Sequence, residues 1–168
     1  VSCRVLVFSF APNRRFRRIL KRNEDLVVTR VSDISSDEYY LLYKHYITVR
    51  HADGDMYPPT RDQYSSFLMK KCEGTSYYEM RAGDRLVGLM VSDHLENGLS
   101  AVYTFYDPLE EQRSLGTYAV LWQINLAHRL GLAHVYLGYW IRDSRKMNYK
   151  ISFGPMEMLI RQQWVLIS

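Results

Sequence analysis

The spacing of apolar residues changes several times along the chain, and each change marks an element. Cys3 to Phe10 is a short apolar run of strand length. Pro12-Asn13 then opens a helix signal, because in RRFRRILKRNEDL the apolar Phe16, Ile19 and Leu20 recur at i, i+3 and i+4. That spacing turns one face inward and leaves the arginines on the outer face. Leu26 to Val31 predicts a second strand. Ser35-Ser36-Asp37-Glu38 carries a capping-box pattern ahead of Tyr39, Leu42, Tyr43, Tyr46 and Val49 at helical spacing. The helix stops at Arg50-His51-Ala52-Asp53-Gly54-Asp55-Met56, followed by Tyr57-Pro58-Pro59. Two aspartates flank that glycine, but the later ligands and closing glutamate of a calcium loop are missing, so the stretch reads as a turn, and as a functional one. Thr60 to Gln63 repeats the capping signal and predicts a helix to about Lys71.

From Ser76 the period becomes that of strands: Ser76 to Arg81, Leu86 to His94 and Leu99 to Tyr106, with Gly83-Asp84 and Asn97-Gly98 as the hairpin turns between them. Asp107-Pro108 ends the third strand, since proline cannot continue the ladder. A short acidic loop with Glu110 and Glu111 leads into Arg113-Ser114-Leu115-Gly116. A helix follows from about Ser114 to Leu130, with Leu115, Ala119, Trp122, Ile124 and Leu126 on its apolar side. His134 to Trp140 is the next strand. A strand–helix–strand unit of this length predicts a right-handed parallel crossover with its ligand at the carboxyl ends of the strands. The free N–H groups at the helix start present partial positive charge to an anion or a developing oxyanion. After Ile141 to Phe153, Gly154-Pro155 breaks the chain. Met156 to Gln163 reads as helix and Trp164 to Ile167 as a last strand. The expected fold is α/β: an antiparallel meander feeding a parallel strand–helix–strand unit in one mixed sheet, with flanking helices, as a single domain over 1–168.

Composition narrows the function. With 168 residues, 47% hydrophobic and 24% charged, the chain is ordinary for a globular protein with one good core. No apolar run approaches the roughly 20 residues of a membrane span and no charged-then-apolar leader opens the chain, so a cytoplasmic protein with no membrane partner is the expectation. Cys3 and Cys72 are too few for a disulfide framework, and their spacing matches no metal site. Charge is uneven. Residues 1–30 hold eight Lys/Arg (Arg4, Arg14, Arg15, Arg17, Arg18, Lys21, Arg22 and Arg30) against Glu24 and Asp25, a net +6; with +4 overall, the other 138 residues hold −2. Such a concentration fits either a polyanion contact or a solvated helix face.

Helices, then a meander, then strand–Arg-x-x-Gly–helix–strand is similar in order to the GNAT-type N-acyltransferase fold. There an (Arg/Gln)-x-x-Gly-x-(Gly/Ala) loop holds the pyrophosphate of coenzyme A on backbone N–H groups. Here the loop is Arg113-Ser114-Leu115-Gly116-Thr117-Tyr118, and Tyr118, where that pattern has a small residue, is expected to crowd a pyrophosphate and argue against a coenzyme A donor. Six motifs resemble a narrower group, the aminoacyl-tRNA–protein transferases. They are Arg-Asn-Glu-Asp-Leu (22–26), Arg50-His51-x-Asp53-Gly54-Asp55-Met56, Ser100 to Pro108, Arg113 to Tyr118, Tyr136-Leu137-Gly138-Tyr139-Trp140-Ile141 and Lys146-Met147-x-Tyr149-Lys150. The resemblance runs from the arginine-rich segment to Trp164. It is closest to the bacterial aspartate/glutamate leucyltransferases, where Arg-His-x-Asp-Gly-Asp-Met tips the choice, and weaker to the eukaryotic arginyltransferases. It also implies a cysteine-containing region ahead of Cys3, outside this chain.

The resemblance implies transfer of leucine, or alternatively arginine, from charged tRNA to the α-amine of proteins beginning with Asp or Glu. An acetyl-coenzyme A N-acetyltransferase of the same fold is the other enzyme class, and a non-catalytic RNA-binding module the third reading. The donor ester is already activated, so no metal or cofactor is implied. Asp107 is the first candidate to position or deprotonate the amine, although an Asp before proline is also a common turn residue. The N–H groups around Ser114 to Gly116, with Tyr118 beside them, suit the oxyanion or the terminal ribose. An acceptor carboxylate calls for a fixed cation: Arg81, Arg113 or Arg142, with Arg50-His51 as another candidate, although each taken singly is more often a surface ion pair. Tyr103, Tyr118, Tyr139, Trp140 and Tyr149 suit stacking on unpaired terminal bases. Arg14, Arg15, Arg17 and Arg18, with Lys146, Tyr149 and Lys150, suit the tRNA. His94, His128 and His134 read as structural or surface residues.

Overall fold

The strand predicted over Leu99 to Tyr106 lies in the middle of an eight-stranded sheet. The computed structural model describes residues 1–142 and 144–167. Its strands are β1 (Ser2–Leu6), β2 (Leu26–Val31), β3 (Thr75–Ala82), β4 (Arg85–His94), β5 (Gly98–Tyr106), β6 (His134–Tyr139), β7 (Met156–Ile160) and β8 (Gln163–Ile167), in the spatial order β2-β3-β4-β5-β6-β1-β7-β8. Every neighbouring pair is antiparallel except β5 with β6. The meander β3-β4-β5 and the parallel pair joined through a helix are as the sequence predicts.

Helices cover both faces, because alternate residues of each central strand enter different cores. Tyr78 and Met90 join Phe16 and Ile19 of α1 (Arg14–Arg22) and Leu115, Ala119 and Ile124 of α4 (Leu115–Arg129). Tyr77, Leu89 and Phe105 join Tyr43 and Ile47 of α2 (Asp37–Arg50) and Tyr64 and Leu68 of α3 (Arg61–Leu68). The N-caps at α1 and α3 follow the sequence signals: Asn13 accepts from the Phe16 N–H at 2.8 Å and Thr60 from the Gln63 N–H at 3.1 Å. Ser36, at the start of α2, makes no side-chain cap bond.

Two segments depart from expectation. The strand expected over Cys3 to Phe10 ends at Leu6, where the Leu6 and Val7 N–H groups bond the Pro155 and Ala133 carbonyls and a 3-10 turn (Val7–Ser9) begins. Met156 to Gln163 is not a helix. It is β7 and the turn into β8, with Met156 and Met158 buried alternately. Arg161 and Gln162 hold φ of 50° and 67°, the left-handed pair of a two-residue hairpin turn. That turn usually carries Gly or Asn, and without them its signal is absent from the sequence.

The feature that makes room for a ligand is the brevity of the β5–β6 pairing. It extends only from Gly98 to Ser100 against His134 to Tyr136, although β5 continues to Tyr106 and β6 to Tyr139. On its other edge β5 stays paired to β4, with a bulge at Val102 where the register slips between Ala101↔Ser92 and Tyr103↔Val91. The two parallel strands therefore part like a wedge.

Gly98 sits at the apex. A Cβ there would stand 2.5 Å from the His134 carbonyl oxygen and 2.9 Å from the Tyr136 ring. Gly98→Ala should lower stability by about 2 kcal/mol, whereas Gly54→Ala, whose nearest neighbour would be 3.4 Å away, should be close to neutral. Thermal melts of the two variants check this.

Candidate active site in the wedge

Where β5 and β6 part, a cleft of about 580 Å³ opens. Ala101 to Thr104 and Tyr106 of β5 form one wall, and Leu137 of β6 with Met147, Tyr149 and Lys150 the other. The start of α4 closes the base through Ser114, Gly116 and Thr117, and the C-terminal end of α2 contributes Tyr46, Arg50 and His51.

The loop before α4 is held from outside the cleft. Asn23, 1% exposed, donates through Nδ2 to the Ile19 carbonyl (2.9 Å) and to the Arg113 carbonyl (2.8 Å). Arg113 makes a two-pronged ion pair with Asp25 (2.8 and 2.9 Å) and a further bond to Glu110 (3.0 Å). Arg85 bridges Asp107 and Glu110. Ser114 adopts the left-handed conformation (φ 52°, ψ 52°), which turns the 3-10 segment Glu111–Arg113 into α4 without a side-chain cap. The Tyr118 N–H is bonded to the Ser114 carbonyl (2.9 Å). The N–H groups of Leu115, Gly116 and Thr117 precede the first helical acceptors, and Gly116 and Thr117 line the cleft. A helix start with open donors facing a partly enclosed cleft stabilises developing negative charge.

Tyrosines shape the wall beside it. The Tyr46 ring lies 4.9 Å from that of Tyr106 and 6.4 Å from that of Tyr103. Gly116 lets the helix start approach Tyr106, since a Cβ there would sit 3.5 Å from that ring. Burial pushes the phenols of Tyr46, Tyr103 and Tyr149 up, so they remain protonated. The Tyr46 hydroxyl is 2.9 Å from His51 Nε2. Burial foremost, then the positive charges of Lys146 and Arg50, lowers His51 below the ordinary histidine value of 6.5, leaving a neutral imidazole with one basic nitrogen. Lys150 is likewise lowered by burial and donates to the Tyr139 carbonyl at 2.7 Å. Lys146 reaches Asp53 at 3.4 Å, at the mouth. Glu110 and Glu111 complete the lining with negative charge.

Of the residues singled out from sequence, the cleft gathers Arg50, His51, Tyr103, Ser114, Gly116, Lys146, Tyr149 and Lys150. The others lie elsewhere. Asp107 is a turn residue: one carboxylate oxygen accepts from the Leu109 N–H (2.9 Å) and the other pairs with Arg85 (2.9 Å). Arg81 is committed to Glu38 and Glu79, and Arg113 to Asp25 and Glu110. Tyr139 is 66% exposed, Trp140 packs partly buried against the core and Arg142 is exposed. Arg14, Arg15, Arg17 and Arg18 are exposed on α1, whose inner Phe16 stacks on Phe153 at 4.9 Å, beside the Tyr149–Lys150 wall. Tyr118 corrects the expectation drawn from it. Its side chain is buried with Leu115 and Ala119 on the sheet-facing side of α4, so it does not crowd the helix start, and that argument against coenzyme A falls. Tyr46, Tyr106, Thr117 and Glu111 were not anticipated as site residues; the available signal was Tyr46 and Arg50 four apart on one helix, with His51 adjoining.

Among the described residues no three His, Cys, Asp or Glu side chains gather as a metal ion requires, and no helix is long and apolar enough to cross a membrane.

The wedge, the bulged strand and the helix start define a GNAT-like fold. Ribosomal-protein-S18-alanine N-acetyltransferase from Escherichia coli superposes with a TM-score of 0.55 at 12% identity, over 77% of this chain and 76% of that one. L-PGS from Bacillus licheniformis gives a TM-score of 0.59 at 11% identity, over 82% of this chain and 44% of that one. At such identity these likenesses establish the fold alone. Residues 38–160 match the family model described as arginine-tRNA-protein transferase, C terminus, and the chain belongs to that family. All 168 residues align at 56% identity with the aspartate/glutamate leucyltransferase of Pseudomonas fluorescens and at 55% with that of Pseudomonas aeruginosa, spanning 72% of each.

Proposed function

We propose that the chain moves leucine from charged tRNA to the α-amine of proteins that begin with Asp or Glu. The observation that carries this reading is the meeting, in one cleft, of open N–H donors at the start of α4 with a neutral histidine. Identity of 56% and 55% with two leucyltransferases over the whole of this chain favours leucine over arginine.

On this reading the acceptor nitrogen attacks the ester carbonyl carbon, forming the new C–N bond. The carbonyl electrons move onto oxygen, where the Gly116 and Thr117 N–H groups receive the negative charge. The acceptor ammonium first yields one proton to solvent through His51, freeing the lone pair that attacks, and His51 then takes the second proton, released as the C–N bond forms. As the carbonyl reforms, the bond to the ribose oxygen breaks, and the imidazolium returns that proton to the leaving hydroxyl. The Tyr46 hydroxyl holds the ring through its bond to Nε2. His51 thus takes the role first considered for Asp107, whose carboxylate is occupied by Arg85. The exposed arginines of α1 supply phosphate contacts on one side of the cleft. The reaction belongs in the cytoplasm, where charged tRNA is made.

A transfer assay with an Asp-initiated peptide, tRNA, its synthetase and labelled leucine or arginine in parallel should give leucyl product, and acetyl-coenzyme A should give none. Labelled product from acetyl-coenzyme A alone would overturn the reading. The pH profile carries the histidine role. Because burial lowers His51, its basic form persists down to below pH 6.5, and kcat/KM should fall only on the acid side of that value. A limb near 8, the ordinary range of an α-amine, would mean that the amine sheds its proton in solution instead. Replacing Arg14, Arg15, Arg17 and Arg18 by Ala should weaken tRNA binding and flatten its salt dependence by roughly 0.7–0.9 in log–log slope per lost contact. An unchanged slope would make this helix a solvated face.

A further inference from the structure

Acidic acceptors pose a problem that the cleft must solve with a cation, and most of its cations are already engaged. Lys150 donates to the Tyr139 carbonyl at 2.7 Å, and its burial disfavours the charged form. Lys146 is held 3.4 Å from Asp53 at the mouth. His51 is tied to the Tyr46 hydroxyl. Beyond the cleft, Arg81 and Arg113 each hold two carboxylates. Arg50 differs: it lines the cleft, and among the described residues no carboxylate lies within ion-pair distance of it.

Its placement suits the task. The Arg50 guanidinium carbon stands 5.7 Å from the centre of the Tyr106 ring, a cation–π approach that orients the side chain over the aromatic wall. The same Tyr106 ring borders Gly116, so one side chain separates Arg50 from the N–H groups at the start of α4. The α2 end of the cleft, where Arg50 stands, therefore adjoins the place at which an acceptor amine would attack a carbonyl held at those N–H groups. Asp and Glu differ by one methylene, and an arginine projecting from an exposed helix end can follow that difference. Its planar fork matches a carboxylate in two parallel hydrogen bonds, whereas an amide of the same shape offers only one acceptor oxygen.

We propose that Arg50 is the specificity residue that reads the side-chain carboxylate of the acceptor's first amino acid. The inference rests on the transfer reading above and adds to it the group that makes the acceptor acidic.

The test uses matched peptides beginning with Asp, Asn or Glu and leucyl-tRNA as donor, with wild type, Arg50→Gln and Arg50→Lys. In the wild type kcat/KM should favour Asp over Asn. In Arg50→Gln the loss on the Asp peptide should exceed the loss on the Asn peptide by about 10²-fold, collapsing the ratio, as expected when one partner of a charged hydrogen-bonded pair is removed. Arg50→Lys should recover part of the ratio, since it keeps the charge without the fork. Equal losses on Asp and Asn would overturn the proposal, because Arg50 would then serve the donor or the chemistry. A wild-type ratio retained in Arg50→Gln would also overturn it, while leaving the transfer reading intact. Failure of the wild-type protein to transfer to any of the three peptides would overturn both.

Discussion

Two parallel strands that pair over three residues and then separate are the constraint on which the rest of this structure depends. Close approach at Gly98 sets the apex, because no side chain fits between it and the His134 carbonyl. The bulge at Val102 lets β5 leave β6 while keeping its bonds to β4. Past the apex, the open edge of β5 and the start of α4 face one space. A sheet tolerates unpaired polar edges only where water or a ligand can meet them, and the wedge leaves such an edge open to both.

The surrounding charges are sorted into two groups. Arg81, Arg85 and Arg113 are each bonded to two acidic partners; Arg85 and Arg113 thereby fix the loop that leads into α4, and Arg81 ties β3 to the start of α2. Asn23 does similar work from the core by holding the Arg113 carbonyl in place. Inside the cleft the groups are kept chemically usable instead. His51 is held neutral by burial, the tyrosines stay protonated, and the N–H groups at the start of α4 have no side-chain cap. Rigid pairing outside and open donors inside is what preorganisation of a transfer site requires.

The elements whose local chemistry agrees with their tertiary role were legible in the sequence. Asn97-Gly98 marks a hairpin, Asn13 and Thr60 cap helices, and a strand, a proline stop and a helix announce the parallel unit. The β7–β8 hairpin was not, because Arg161 and Gln162 adopt left-handed conformations with none of the usual residues. For the site, Arg50-His51, Ser114, Gly116 and Lys146 to Lys150 lie in the motifs that carry the family resemblance. Tyr46 does not, and a tyrosine at helical spacing looks like any core residue. Asp107 and Tyr118 were drawn in by their neighbours. Closeness along the chain does not tell which way a side chain points, and Tyr118 turns to the sheet while Gly116, two residues earlier, faces the cleft. Of the partners that withdraw Arg113 and Arg81, Asp25 and Glu38 lie 88 and 43 residues away, pairings that no local pattern reveals.

On the proposed function the aminoacyl end of the donor occupies the wedge between β5 and β6 with its carbonyl at the start of α4. Backbone amide exchange, followed with and without a tRNA that carries leucine through a hydrolysis-resistant amide, tests it most directly. Exchange should slow at Val102 to Thr104 on the open edge of β5 and at Leu115 to Thr117, beyond any slowing caused by the same tRNA uncharged. Unchanged exchange at both segments, with the charged tRNA demonstrably bound, would contradict it.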